Sequence, residues 1–414
     1  VLNAAGYKNV VGSGRKINIA YIGIGNRGEQ IIGDFERTGM VNVVALCDID
    51  MGAPHTQKVM AKYPKAKQFQ DFRQMFDKAG NEIEAVAIAL PDHAHFPVSM
   101  LAISLGKHVY VEKPMARTFH EAELMIDAAR RHPNVVTQVG NQGHSEANYF
   151  QFKAWMDAGI IKDVTAVTAH MNNARRWHKW DTNIYKYPEK QPIPKTLDWM
   201  NWHCAVPYHE YNEKYHLGEW RCWYDYGMGA LGDWGAHLID TVHEFLELGL
   251  PYEINMQYAN GHNDYFFPYS STILFRFPQR KSMPPVDITW YDGLDNLPPL
   301  PPGYGESKAT DNVPTTNQGD EAKAKKINPG KIIYSKDLIF KGGSHGSTLS
   351  IIPEEKAREM QSKLPEVPKS PSNHFENFLL ACQGTEKTRS PFEIHGPLSQ
   401  VFSLGVIAQR LNTQ

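Results

Sequence analysis

Cysteine is scarce in this sequence, and its copies are scattered. Cys47, Cys204, Cys222 and Cys382 form no C-x-x-C pair and no zinc-ligand spacing, so they read as free thiols and no metal centre is expected. Long apolar runs are lacking too. No uncharged apolar run reaches the roughly 18 residues that a membrane-spanning helix needs. Nor does one sign of charge dominate: 43 Lys and Arg against 45 Asp and Glu leave a formal net charge of −2. That balance gives no electrostatic reason to bind nucleic acid or an anionic membrane, and small molecules become the expected partners. No internal repeat is apparent.

What is present is an ordinary globular composition, 42% hydrophobic and 21% charged, which indicates neither disorder nor a fibre. A chain of 414 residues exceeds one ordinary core, and two domains are expected. Residues 1–16 carry little apolar periodicity and form a lead-in arm. The first residue is Val1, not Met, which fits removal of a targeting segment. Location stays open between the periplasm, after loss of an export signal, and the cytoplasm.

From Ile17 short apolar runs alternate with helical stretches: INIAYIGIG, a helix over 27–38, VNVVALCD, a helix after Met51, EAVAIAL, a helix over 95–105, KHVYVE, a helix over 118–131, and NVVTQVG. Strands and helices at this spacing imply right-handed βαβ units and a doubly wound parallel sheet, here over 17–141. Beyond it, over 142–414, loops lengthen and alternating segments such as STILFRF and VDITWY predict an α/β domain with a large open, mostly antiparallel sheet. A helix is expected over 233–248, another in HFENFLLACQG, and a terminal one in VFSLGVIAQRL. The Pro-, Gly- and Asn-rich stretch 284–346 reads as a long surface excursion. An apolar sheet face left uncovered within one chain predicts a homo-oligomer, a dimer or tetramer.

Gly23, Gly25 and Gly28 form G-x-G-x-x-G between the first strand and the first helix. Glycine there allows a tight turn and close approach to a pyrophosphate, and the helix N-terminus adds free N–H groups and a positive dipole end. Asp48 ends the second strand, 20 residues after Gly28, where a carboxylate accepts from the adenosine ribose hydroxyls. The competing reading, glycines that only tighten a turn and an Asp48 that only caps a helix, is disfavoured by strands on both sides. A carboxylate at Asp48 repels the 2′-phosphate of NADP, so NAD is the expected cofactor, with Asp50 as the second-ranked acid.

KHVYVE runs into Glu112-Lys113-Pro114, which puts a lysine at a strand C-terminal end, on the edge where α/β sheets bind ligands. Such a lysine alone is often a solvated surface charge. Further on, GALGDWGAHLIDTVHE sets Asp233, His237, Asp240 and Glu244 on one helical face by their spacing. A solvated face is the bland reading. Against it, Trp234, Leu238, Ile239 and Val242 predict a buried helix, and buried charges need partners or a task.

GIGNRG, CDID, LPDHAH, VEKPMA and GDWGAHLID, in this order, make the chain from about Ile17 onward resemble the glucose–fructose oxidoreductase/inositol dehydrogenase (Gfo/Idh/MocA) family. The resemblance implies a catalytic set of Lys113, Asp233 and His237, with Asp240 as the helical carboxylate that follows. It also implies cofactor contacts from Gly23, Gly25, Asn26, Arg27, Gly28, Asp48, Pro91, Asp92, His95, Glu112 and Lys113, although His95 could equally be an ordinary capping histidine. The chemistry agrees: His237 suits a general base for an alcohol proton, Asp233 an orienting acid, and Lys113 a stabiliser of alkoxide charge.

The stretch from Arg175 to Tyr226 is crowded with aromatic and basic side chains, including Trp177, Trp220 and Arg221. Flat aromatic faces stack on sugar rings while Arg and His bind hydroxyls, which points to a carbohydrate or polyol, though about half of these aromatics are expected to be core. Arg175, Trp177 and Arg221 join Lys113, Asp233 and His237 as substrate-binding candidates. The leading function is an NAD-dependent oxidoreductase acting on a secondary alcohol of a sugar, glycoside or polyol. The alternatives are a redox-neutral glycosidase or lyase working through a transient keto-sugar and, less favoured, a non-enzymatic NAD or sugar sensor.

Overall fold

The computed structural model describes residues 14–173, 186–216, 218–294, 296–305 and 327–412. In chain order the elements are β1 (Ile17–Ile22), α1 (Arg27–Arg37), β2 (Val41–Cys47), α2 (Pro54–Lys62), β3 (Lys67–Phe69), α3 (Phe72–Ala79), β4 (Ala85–Ile88), α4 (Asp92–Ser104), β5 (His108–Val111), α5 (Phe119–Arg131) and β6 (Thr137–Val139). There follow α6 (Ala147–Asp157), β7 (Val164–Met171), α7 (Trp199–Trp202), α8 (Gly229–Leu238), α9 (Asp240–Phe245), β8 (Glu253–Asn260), β9 (Ser270–Phe277) and β10 (Val286–Asp292). The chain closes with β11 (Gly330–Ser335), β12 (Ile339–Gly342), β13 (Leu349–Ile352), α10 (Glu354–Met360), α11 (His374–Cys382) and α12 (Phe392–Leu411). Among the described residues no helix is long and apolar enough to cross a membrane.

The contacts divide the chain into two compact units: Val1–Gly140 with Pro188–Trp220 and Ser372–Gly396, and Asn141–Tyr187 with Arg221–Pro371 and Pro397–Gln414. In the first, six strands lie in the order β3-β2-β1-β4-β5-β6, all paired in parallel. The period of two along β1 sends Ala20 and Ile22 to one core and Ile19 and Tyr21 to the other, so both faces are apolar and both need helices. Met75, Val98, Ala122 and Met125 cover one face. The other takes Ile31, Phe35 and Val59, and also Phe375, Phe378 and Leu379 of α11.

That last contribution departs from a division of the chain at 141. The segment 372–396 belongs with the parallel sheet because β5 and β6 would otherwise lack a cover on that face. Gln138 donates to the carbonyl of His374 (2.8 Å), and the Ser390 hydroxyl donates to the Val139 carbonyl (2.7 Å). Asn373 caps α11 through a reciprocal bond with Glu376, the local signal that starts this helix.

The second unit holds a seven-stranded sheet in the order β13-β12-β11-β7-β10-β9-β8. Its β7–β10 pair is parallel and its other pairs are antiparallel. One sheet face packs Val167, Ile273, Phe275, Ile288, Trp290, Ile333 and Phe340 against Trp155, Leu231, Trp234, Val242 and Phe402. Two sequence expectations need correction here. Within the stretch 284–346, expected as a surface excursion, the described strands belong to the sheet: β10 lies between β7 and β9, and β11 lies beside β7. Gly330 sits where two strands come close: a Cβ there would lie 2.8 Å from the Gly342 carbonyl oxygen. Residues 306–326 of that stretch, like 1–13 of the expected arm, lie outside the described residues.

The second correction concerns the helix expected over 233–248. It is two helices, with Ile239 at the join, so Asp233 and His237 belong to α8 while Asp240 opens α9. Backbone bonds from Ile239 to Gly235 (2.8 Å) and from His243 to Ile239 (2.7 Å) carry across the join.

On α9, the buried His243 donates from Nε2 to the Gly249 carbonyl (2.8 Å). Burial pushes its pKa down to about 4, against the opposing hydrogen bond and the charge of Asp240. A histidine held neutral in the fold but free to protonate when unfolded stabilises fully above its unfolded value near 6.5. We expect stability to fall by on the order of 3 kcal/mol as pH drops from about 6.5 to 4 on its account, and His243→Gln to flatten that window. Urea unfolding at several pH values tests this, and equal slopes for both proteins would contradict it.

Candidate functional site

The candidate nucleotide site lies wholly in the first unit. Gly23 adopts φ 79° at the end of β1, a region glycine enters without penalty. A Cβ there would meet the Ala89 carbonyl oxygen at 2.3 Å, and one on Gly28 would meet the Gly23 carbonyl oxygen at 2.0 Å. The turn therefore requires both glycines. A Cβ on Gly25 would lie 2.1 Å from the ring of His55, which places His55, absent from the sequence candidates, at the phosphate turn. Asn26 caps α1 at φ 46°.

Asp48 follows β2. Its two carboxylate oxygens each accept one backbone N–H, from Ile24 and from Asp50, both at 3.0 Å. Burial raises its pKa, while those two bonds and the neighbouring His55 oppose the rise. The bonds fix the carboxylate's direction and leave further lone pairs for ribose hydroxyls. The glycine turn and the Asp48 carboxylate together suit an adenosine dinucleotide.

The other expected cofactor residues tie loops to this cradle. Arg27, first in α1, reaches the buried Glu112 at 3.0 Å, joining the glycine turn to the end of β5. Burial works against the Arg27 charge, but Glu112 outweighs it and raises the pKa. Pro91 caps α4, and Asp92 begins it, buried. His95 stands with its ring nitrogens 2.8 Å from the Pro114 carbonyl and 2.9 Å from the Leu90 carbonyl. It thus links the loop after β4 to the loop after β5 that carries Lys113, whose peptide bond to Pro114 is cis.

Asp48→Ala is expected to weaken NAD binding by about 10- to 100-fold, the value of hydrogen bonds to a charged acceptor, and to erode the preference over NADP. Fluorescence titration of both cofactors measures this. An unchanged preference would remove the argument from charge.

The remaining candidates, apart from Lys113, fall in the second unit or outside the described residues. Gly232 and Gly235 let α8 pack closely, since a Cβ on Gly235 would lie 2.8 Å from the Phe402 ring. Asp233 and His237 are both buried on α8. Arg221 approaches the Asp233 carboxylate at 3.8 Å, so three of the candidates share one neighbourhood. His237 stacks on His345, ring centroids 3.9 Å apart and planes 16° apart, while Trp234 meets His345 edge-on. Lys113 is part of the first unit. Arg175 and Trp177 lie outside the described residues.

Sequence reasoning missed His345 and His144. His345 sits in GGSHGS, a glycine-flanked run that signals close backbone approach, within a stretch read as surface. His144 follows β6 and lies between two carboxylates of α9, Nε2 3.4 Å from Asp240 and Nδ1 3.3 Å from Glu244. The Asn141 amide donates to the Ala236 carbonyl (2.9 Å), tying this loop to α8.

A parallel sheet in this order, a glycine turn into α1 and an acid at the end of β2 define a Rossmann dinucleotide-binding unit, here in a chain with a second α/β unit. Residues 17–140 match the oxidoreductase family with the NAD-binding Rossmann fold, and residues 147–277 match that family's C-terminal alpha/beta domain. The chain belongs to this family, the Gfo/Idh/MocA oxidoreductases.

Among similar proteins, the inositol 2-dehydrogenase of Salmonella typhimurium is 29% identical over 167 residues, 39% of this chain and 46% of that protein. A glycosyl hydrolase family 109 protein of Streptomyces niveus is 29% identical over 179 residues, 42% of this chain and 36% of that protein. The chain thus spans less than half the length of these relatives. The WlbA dehydrogenase of Chromobacterium violaceum, solved in complex with NADH and UDP-GlcNAcA, shares the fold at TM-score 0.60 and 14% identity, over 96% of this chain and 94% of that one.

Proposed function

We propose that the protein is an NAD-dependent dehydrogenase that oxidises a secondary alcohol of a sugar, glycoside or polyol, with Lys113, Asp233 and His237 as its catalytic residues. The observation that carries this reading is the buried Asp233–His237 pair on α8 with Arg221 beside Asp233. Buried ionisable groups are costly unless paired or functional, and a histidine one helical turn from an acid is suited to proton transfer. His237 takes the hydroxyl proton, its ring held by stacking on His345. Asp233 orients the histidine or a neighbouring substrate hydroxyl, and Arg221 binds substrate oxygens. Lys113 steadies the developing alkoxide. The bound dinucleotide supplies the hydride acceptor.

Screening inositols, free sugars and glucosides for NADH formation tests the reading. NADH accumulating with one substrate class supports it. Turnover without net NADH would replace it with redox-neutral glycoside cleavage through a transient keto-sugar, the alternative to which the glycosyl hydrolase name among the relatives lends weight. Sugar binding with no turnover at all would favour the sensor.

A further inference from the structure

Residues 188–216 form a loop that packs onto the first unit with no counterpart in the alternating strand and helix pattern. Its base is closed by the Gln191 N–H donating to the Tyr211 carbonyl (2.7 Å) and the Asn212 amide donating to the Glu189 carbonyl (2.8 Å). Its interior is aromatic: Trp199 and Trp202 stack at 4.5 Å, with Tyr211 edge-on to Trp199. A loop so packed holds its own shape.

Where it docks is specific. The Asp198 N–H donates to the Ile49 carbonyl (2.9 Å), and Leu197 bridges Asp50 in antiparallel fashion. The Thr196 hydroxyl donates to the Asp50 carboxylate at 2.7 Å, while the Gln70 amide spans the carbonyls of Ile49 and Thr196. Gly52 allows this approach, since a Cβ there would lie 2.3 Å from the Thr196 side chain. Ile49, Asp50 and Gly52 come directly after Asp48, the residue at the ribose position, so the loop covers the corner where the adenosine 2′-oxygen is read.

Its charges matter as well. In NADP sites a nearby Arg receives the 2′-phosphate. Here Arg73, on the same corner, is bound to the Asp71 carboxylate and to Asn201 of the loop, while Asp50 adds a second carboxylate next to Asp48.

We propose that the 188–216 strap is an adenosine clamp: pinned through Thr196 to Asp50, it closes the ribose end of the cofactor site, excludes the 2′-phosphate and retains the dinucleotide between turnovers. This goes beyond the proposed dehydrogenation and rests only on the cofactor site.

The test is a displacement experiment on the full chain. NADH bound to the protein is chased with excess NAD in a stopped-flow instrument, following energy transfer from protein tryptophan to NADH. Thr196→Val removes only the hydroxyl, and Gly52→Ala puts a methyl group against Thr196 without deleting a hydrogen bond. Both should release NADH about tenfold faster or more, the scale of a lost bond to a charged group, and both should bind NADP more tightly than wild type does. Circular dichroism confirms that they fold. Should Gly52→Ala fail to fold, Asn201→Ala loosens the strap at its Arg73 end and is expected to behave alike. Wild-type release rates in folded Thr196→Val and either second variant would overturn the clamp. Wild-type protein that binds no NADH would overturn the cofactor site itself, and slow release with no sugar oxidation would leave the clamp standing and sink only the dehydrogenase reading.

Discussion

Replacing His237 with Ala is expected to lower turnover by about 10²- to 10⁴-fold, the usual contribution of a positioned general base, with NAD affinity close to that of the wild type. The separation of the two effects follows from where the residue sits. His237 belongs to α8 in the second unit, whereas the glycine turn, Asp48 and the Arg27–Glu112 pair all belong to the first. Deleting the imidazole removes a proton acceptor and the stacking partner of His345, and it leaves the nucleotide cradle untouched. Steady-state kinetics on the substrate found by the sugar screen, with NAD titrated in parallel, decide the matter. Undiminished turnover would remove His237 from the chemistry. A parallel collapse of NAD binding would mean that its role is structural. Asp233→Asn serves as companion: it keeps the shape while removing the charge that Arg221 faces, and should give a smaller loss.

The candidate nucleotide site was readable from sequence because its rules are local. Parallel strands buried on both faces appear as apolar runs, the glycines fall at fixed offsets in one turn, and Asp48 lies one strand further on. The helix bearing Asp233 and His237 was readable for a similar reason, since their four-residue spacing survives the join at Ile239 that separates Asp240 from them. Long-range packing was not readable. Nothing in the local pattern of HFENFLLACQG says that it covers a sheet formed more than 200 residues earlier, yet Phe375 and Phe378 lie against Phe35 and Tyr110. The strands β11 and β12 are short and bounded by glycine and proline, so they read as loop, and His345 was hidden with them. His144 follows a three-residue strand in a loop, and only the return of α9 gives it carboxylate partners.

Asp240→Ala is expected to destabilise the protein by about 3–5 kcal/mol, the cost of breaking a buried ionic network by removing one member. The Asp240 carboxylate is buried at the start of α9, where it accepts the Thr241 N–H (2.7 Å) and faces His144 and the Asn141 amide, each at 3.4 Å. Burial works to raise its pKa, but the hydrogen bond and charge of His144 and the charge of Lys331 prevail and hold it below the ordinary value. Lys331 is itself buried, 1% exposed; burial lowers its pKa, and Asp240 is the charge that opposes this. Without Asp240 that ammonium is left in the interior with its countercharge gone. A carboxylate whose pKa is depressed by folding stabilises fully above its unfolded value near 4, and the benefit disappears as pH falls through the lower folded value. The gap between wild type and Asp240→Ala should therefore be full at neutral pH and narrow in acid. Urea unfolding at pH 7 and below pH 4 measures it. Pairing the substitution with Lys331→Met isolates the coupling, because the loss from Asp240→Ala should shrink once the buried ammonium is also gone. Equal losses with and without Lys331 would show that the two charges do not support each other.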